Sequence, residues 1–179
     1  MLNIPNILSI FRLCLTPVFV LIYFSGTAYA RYCAVLVYAV ATFTDYLDGY
    51  IARKYNLITN LGKVLDPLGD KMFTFTVLAC IAMDGIIPHW MAALFFIKEA
   101  LMGIGSLYIH RRIKVEIPPS NMLGKAASVL FFVICVMLIL ADGIIPPVGG
   151  MIAMGVAFLV SFAAFASYLI NMVRLIKNT

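Results

Sequence analysis

Apolar residues run along this chain in six long stretches, separated by short polar turns that carry glycine or proline. The first stretch lies within Ile7–Ser25, after an opening segment, "MLNIPNILSIFR", that mixes apolar and polar positions at helical spacing. The second runs roughly from Tyr32 to Arg53, and the third from Lys63 or Asp66 to Met83. The others run from His89 to His110, from Met122 to Ala141 and from Gly149 to Leu175. A helix needs about 20 apolar residues to cross a bilayer. The pattern therefore predicts an all-α integral membrane protein with six transmembrane helices plus a short N-terminal amphipathic helix. Every connection is short, so residues 1–179 read as a single membrane domain with neighbouring antiparallel helices. The opening lacks a leading basic cluster and a small-residue cleavage site, so it does not read as a removable signal peptide.

Composition agrees. The chain is 64% hydrophobic and only 12% charged, against about 25% charged in an ordinary soluble domain. The net charge of +5 does not point to nucleic acid, because the basic residues flank the apolar stretches. Arg53, Lys54 and Lys63 bracket the second connection, and Arg111, Arg112, Lys114 and Lys125 the fourth; Arg174 and Lys177 follow the last stretch. The opposite connections carry Arg31, Asp84 and Asp142. The positive-inside rule places both termini and the two basic loops in the cytoplasm of a bacterial-type plasma membrane. Two turns, "MDGIIPH" and "ADGIIPP", share Asp-Gly followed by Pro and read as common turn chemistry. Cys14, Cys33, Cys80 and Cys135 lack metal-ligand spacing and read as small buried apolar residues. His89 and His110 stand alone near stretch ends.

The window from Thr44 to Lys71 holds four of the eight acidic residues. Asp45 and Asp48 are three apart, Asp66 and Asp70 four apart, so each pair shares a helix face. The short loop between the two helices lets the four carboxylates converge at the cytoplasmic end of one helix pair. A carboxylate in a bilayer centre costs about 2.5–3.5 kcal/mol on insertion scales, and clustered carboxylates repel. A divalent cation resolves both, and all-oxygen ligation suits Mg²⁺, Mn²⁺ or Ca²⁺. Two such cations on shared carboxylates fit in-line displacement at phosphorus. Gly49 and Gly62 leave room where a bulky group must approach, Ala52 does so less completely, and Arg53 is a cation able to grip phosphate. Structural roles compete for some of these residues. Arg53 and Lys54 suit a basic flank, Asp66-Pro67 suits a helix start with Asp as N-cap, and Asp70 beside Lys71 suits a solvated pair. Asp45 and Asp48 have no comparable structural role.

Asp45, Asp48, Gly49, Ala52, Arg53, Gly62, Asp66 and Asp70 together reproduce the pattern D-x2-D-G-x2-A-R-x8-G-x3-D-x3-D without gap or substitution. In this the chain resembles the CDP-alcohol phosphotransferase family, whose amphipathic N-terminal segment and six spans match the opening "NIPNILSIFR" and the apolar stretches. The resemblance implies transfer of a phosphatidyl or similar group from a CDP-linked lipid to an alcohol, with release of CMP. It implies that Asp45, Asp48 and Asp66, with Asp70 beside them, hold two Mg²⁺ or Mn²⁺ ions, and that Asp70 is the general base. It implies that Gly49, Ala52, Arg53 and Gly62 contact the cytidine diphosphate, and that the protein is a homodimer open to the cytoplasm.

Within the family the overall likeness is to bacterial phosphatidylglycerophosphate synthases, which use CDP-diacylglycerol and glycerol 3-phosphate. An anionic acceptor needs cations, and Arg12, Lys98, Arg111, Arg112 and Lys125 are the candidates. Lys98-Glu99 stands where those synthases carry Arg-Glu, and "GKAAS" from Gly124 where they carry Gly-Lys-x-Lys-Thr. Two phosphate-binding charges of those synthases are missing: Ser106 and Ala127 replace an arginine and a lysine. A cardiolipin synthase with phosphatidylglycerol as acceptor is the alternative. Lys98 also suits pairing with an acid on a neighbouring helix; Glu99 is not expected as its partner, because adjacent helix residues diverge. Intramembrane acids mark ion-coupled transporters too, but transporters spread them near the midplane over several helices.

Overall fold

A computed structural model of the chain describes residues 3–55, 62–113, 122–141 and 143–177. Among these residues the protein is all-helical, with α1 Ile4–Tyr23, α2 Ala30–Lys54, α3 Gly62–Met83, α4 His89–Ile113, α5 Met122–Leu140 and α6 Pro147–Lys177, and no strand. Lys114 and Asp142 lie outside the described residues, as does the loop at 56–61. Three segments are long and apolar enough to cross a membrane by length and composition: Pro5–Tyr23, Met122–Leu140 and Pro147–Ser167. The outward faces are apolar, with Leu21 73% and Leu159 72% exposed. Outward-facing leucines at this level suit a hydrocarbon surround.

The opening segment does not form a separate amphipathic helix. It runs into the first apolar stretch as α1, with Pro5 in the first turn, where a missing N–H costs nothing. One face carries through: Pro5, Ser9, Arg12, Phe19 and Tyr23 are all buried at helical spacing. Cys80 and Cys135 are buried as expected, but Cys14 and Cys33 are exposed. An outward position on an apolar helix surface accepts cysteine as readily as a buried one does.

The chain divides into two compact units, Met1–Ile81 and Ala82–Thr179. In the first, α1 packs along α2. An aromatic trio ties in α3: Phe19 lies 6.5 Å from Tyr38 and 5.6 Å from Phe73, and Tyr38 stacks on Phe73 at 5.8 Å between ring centroids. One turn before Phe73, Gly69 is so close to α1 that a Cβ there would meet the Ser9 carbonyl oxygen at 3.4 Å.

In the second unit, α5 packs along α6. Phe95 of α4 stacks on Phe131 of α5 at 4.7 Å and on Phe158 of α6 at 5.3 Å. The glycines of the two echoing turns share a left-handed conformation, Gly85 at φ 75° and Gly143 at φ 76°, a region that side chains disfavour. At Gly150 a Cβ would stand 2.7 Å from the Ile86 carbonyl oxygen. Gly150→Ala is therefore expected to cost about 1–3 kcal/mol, the range for forced overpacking. Thermal unfolding in detergent checks this; an unchanged melting temperature would mean that the backbone does not approach so closely.

Candidate active site

The buried face of α2 runs through Ala34, Tyr38, Ala41, Thr44 and Asp48 at spacings of three and four. Asp48 therefore lies on the face that Tyr38 sets against α1. Asp45, one turn earlier, is half-buried. Both acids meet the same partner. Arg12 of α1 places Nη1 2.6 Å from Asp45 Oδ1 and Nη2 2.6 Å from Asp48 Oδ2. The Arg12 side chain is 2% exposed and that of Asp48 4%. A planar guanidinium fork matches two carboxylate oxygens in a way that a point charge does not. One positive and two negative groups leave a net negative charge, so the pair still attracts a cation.

Gly49 and Ala52 follow on α2, both half-buried. Arg53 lies in the last turn of α2, and its side chain is outside the described residues. Gly62 opens α3 and is buried. Asp66 lies inside α3, four residues past its start, so the N-cap role does not hold for it. Pro67 is tolerated inside the helix, where sequence rules favour a boundary. The side chain of Asp66 is also outside the described residues. Asp70, next to buried Gly69, is 46% exposed and 3.9 Å from Lys71 Nζ. Among the described residues, no three His, Cys, Asp or Glu side chains gather as a metal cluster. What these residues do bring together is the Asp45–Asp48 pair, sharing the Arg12 guanidinium.

That pair fits a divalent cation on its own chemistry. Both donors are carboxylates, both come from one face of one helix, and both reach a common positive group within 2.6 Å. Oxygen-rich sites of this type select Mg²⁺, Mn²⁺ or Ca²⁺.

The acceptor candidates fare differently. Arg12 is engaged by the two acids of α2. In the second unit, Lys98 Nζ lies 2.5 Å from Glu99 Oε1 and donates to Ser161 Oγ of α6 at 2.6 Å. The expectation that Lys98 would not meet Glu99 is thus overturned. The backbone directions of adjacent residues do diverge, but both side chains are long enough to bend to a shared point, and burial of both favours it (5% and 7% exposed). The Lys98 ammonium also lies 4.8 Å from the centre of the Phe95 ring. Lys125 is exposed in the first turn of α5. Arg111 and Arg112 lie in the last turn of α4, with side chains outside the described residues.

Sequence reasoning passed over Asn6, Ser9 and Gly69. Asn6 and Ser9 are 1% and 0% exposed and precede Arg12 at intervals of three, a polar row in an otherwise apolar helix that was there to be noticed. Gly69 carried no signal beyond its place beside Asp70.

Residues 2–167 match the family model described as CDP-alcohol phosphatidyltransferase. The chain is similar to the CDP-diacylglycerol–glycerol-3-phosphate 3-phosphatidyltransferase of Rickettsia bellii, 31% identical over 79% of this chain and 77% of that protein. The Bacillus subtilis protein of the same name is 31% identical over 70% of each chain. A cardiolipin synthase (CMP-forming) of Streptomyces coelicolor is 35% identical over 79% of this chain and 67% of its own length.

Proposed function

Because the chain belongs to the CDP-alcohol phosphatidyltransferase family, we propose that it moves a phosphatidyl group from CDP-diacylglycerol to glycerol 3-phosphate, forming phosphatidylglycerophosphate and CMP. The observation that carries the site is the convergence of Asp45 and Asp48 on one cation at 2.6 Å each. Asp45, Asp48 and Asp66, with Asp70 beside them, would hold two divalent ions, Mg²⁺ or Mn²⁺. When bound, these supply charge stabilisation at the pyrophosphate and at the departing CMP.

The chain's own residues do the rest. Gly49 and Gly62 leave space for the cytidine diphosphate, Ala52 lines it, and Arg53 holds its phosphate oxygens. Asp70 takes the proton of the acceptor hydroxyl. The acceptor oxygen bonds to the phosphatidyl phosphorus, and the bond to CMP breaks with its electron pair leaving on CMP. Half-exposure of Asp70 suits a base that must meet an acceptor arriving from water. Positioning and fixed charge carry most of the acceleration in transfer at phosphorus. We place all six helices across the membrane, with the site and both termini cytoplasmic, and take the protein to be a homodimer; the loop charges support the orientation.

Glycerol 3-phosphate is favoured by the printed activities of the Rickettsia and Bacillus relatives. On this reading Arg111, Arg112 and Lys125 are the acceptor cations, since Arg12 and Lys98 are engaged elsewhere. The second reading, phosphatidylglycerol as acceptor, draws on the Streptomyces relative and on that same engagement of Lys98, together with Ser106 and Ala127 in place of basic residues.

The test is CMP release by detergent-purified protein given CDP-diacylglycerol and Mg²⁺, with each acceptor offered alone. Release with glycerol 3-phosphate and not with phosphatidylglycerol is expected. The reverse pattern would make the protein a cardiolipin synthase, and release with neither would reject both acceptors.

A further inference from the structure

Arg12 comes from the opening segment of the chain, 36 residues before Asp48, and from a helix that contributes nothing to the eight-position pattern. We propose that Arg12 is a positioning residue of the metal site, holding Asp45 and Asp48 in the orientation that receives divalent cations. The inference rests on the metal-binding reading of those two acids.

Four features carry it. The first is geometry: Arg12 Nη2 donates a hydrogen bond to Asp48 Oδ2 and Nη1 forms an ion pair with Asp45 Oδ1, each at 2.6 Å. Metal-ligating carboxylates are ordinarily held by outer polar contacts of this kind, which set their orientation. The second is burial. With 2% of its side chain exposed, Arg12 is not placed to sweep through solvent after an acceptor. The third is anchorage. The Ser9 carbonyl sits against Gly69, and Arg12 Nη1 lies 3.9 Å from where a Cβ of Gly69 would stand. Phe19, two turns on, is fixed between Tyr38 and Phe73. The arginine is thus held on a helix docked against both α2 and α3. The fourth is charge. Two acids three residues apart repel, and Arg12 relieves that repulsion while leaving the cluster net negative. It therefore orders the ligands without removing the attraction for a dication.

The experiment is direct Mn²⁺ binding, read by electron paramagnetic resonance of free Mn²⁺, on purified wild type, Arg12→Gln, Arg12→Lys and Asp48→Asn. Melting curves with excess Mn²⁺ establish that each variant is folded. Both Arg12 variants are expected to bind Mn²⁺ about 10–100-fold more weakly, the usual effect of losing an outer partner. Lysine should not rescue, because it restores the charge and not the fork. If Arg12→Gln does not fold, Arg12→Lys carries the test. Unchanged affinity in a folded variant would overturn the inference and leave Arg12 as a clamp between α1 and α2. Tighter binding would overturn it too, by making Arg12 a competitor of the metal. A wild type that binds no Mn²⁺ would remove the metal site itself, and the inference with it. That failure is distinguishable, because it is seen before any Arg12 variant is compared.

Discussion

Asp70→Asn is expected to reduce turnover by about 10²–10⁴-fold, the contribution typical of a positioned general base, while the donor KM stays within a few-fold. The substitution keeps shape and removes proton affinity. Asp70 is a clean place to make it. Its side chain is 46% exposed and its link to Lys71, at 3.9 Å, is an exposed pair worth about 0–1 kcal/mol. Loss of activity there cannot be blamed on collapse of the fold. Asp48 offers no such separation. It is buried against Arg12, so Asp48→Asn would disturb ligation, helix packing and charge balance together. Steady-state kinetics of CMP release, with donor binding measured separately, read the two apart. A variant with near-normal turnover would take the base role away from Asp70. A variant that loses donor binding in step with turnover would make Asp70 chiefly a metal ligand.

The parts of this protein that were legible in the sequence are those set by local spacing. Six helices follow from the six apolar stretches, three of them long and apolar enough to cross a membrane, and the shared face of Asp45 and Asp48 follows from an interval of three. The Asp-Gly turns follow from the left-handed backbone that Gly85 and Gly143 adopt. What was not legible depends on tertiary contact or on side-chain reach. Nothing near Arg12 names Asp45 and Asp48 as its partners; that pairing exists because Phe19, Tyr38 and Phe73 fix the register of three helices. Asp66-Pro67 carried a good local cap signal, yet α3 begins at Gly62. A proline inside a helix loses a hydrogen bond, and tertiary context overrode the boundary that it favours. The mix of apolar and polar positions in the opening predicts a separate amphipathic helix. Its buried polar row, Asn6, Ser9 and Arg12, is in phase with the buried face of the following span, so the helix continues through it.

Lys98→Met is expected to destabilise the protein by about 3–5 kcal/mol, the cost of breaking a buried ion pair by removing one member. For a chain of this length that corresponds to a fall in melting temperature on the order of 10 °C. The argument starts from burial: Lys98 and Glu99 are 5% and 7% exposed, so neither charge is screened by water. It continues through geometry, since the ammonium bonds both the neighbouring carboxylate and Ser161 on another helix. Removing it takes the ammonium away from the buried Glu99 carboxylate and cuts a polar link between α4 and α6. The double variant Lys98→Met/Glu99→Met separates these two losses. Replacing a buried pair by apolar residues of similar volume is often neutral or stabilising, so the double variant should recover most of the deficit. Melting curves of the single and double variants in the same detergent make the comparison. A single variant as stable as wild type would show that the pair does not hold α4 to α6. A double variant as weak as the single one would assign the loss to Ser161 and to the packing of the lysine stem against Phe95, with the charge itself contributing little.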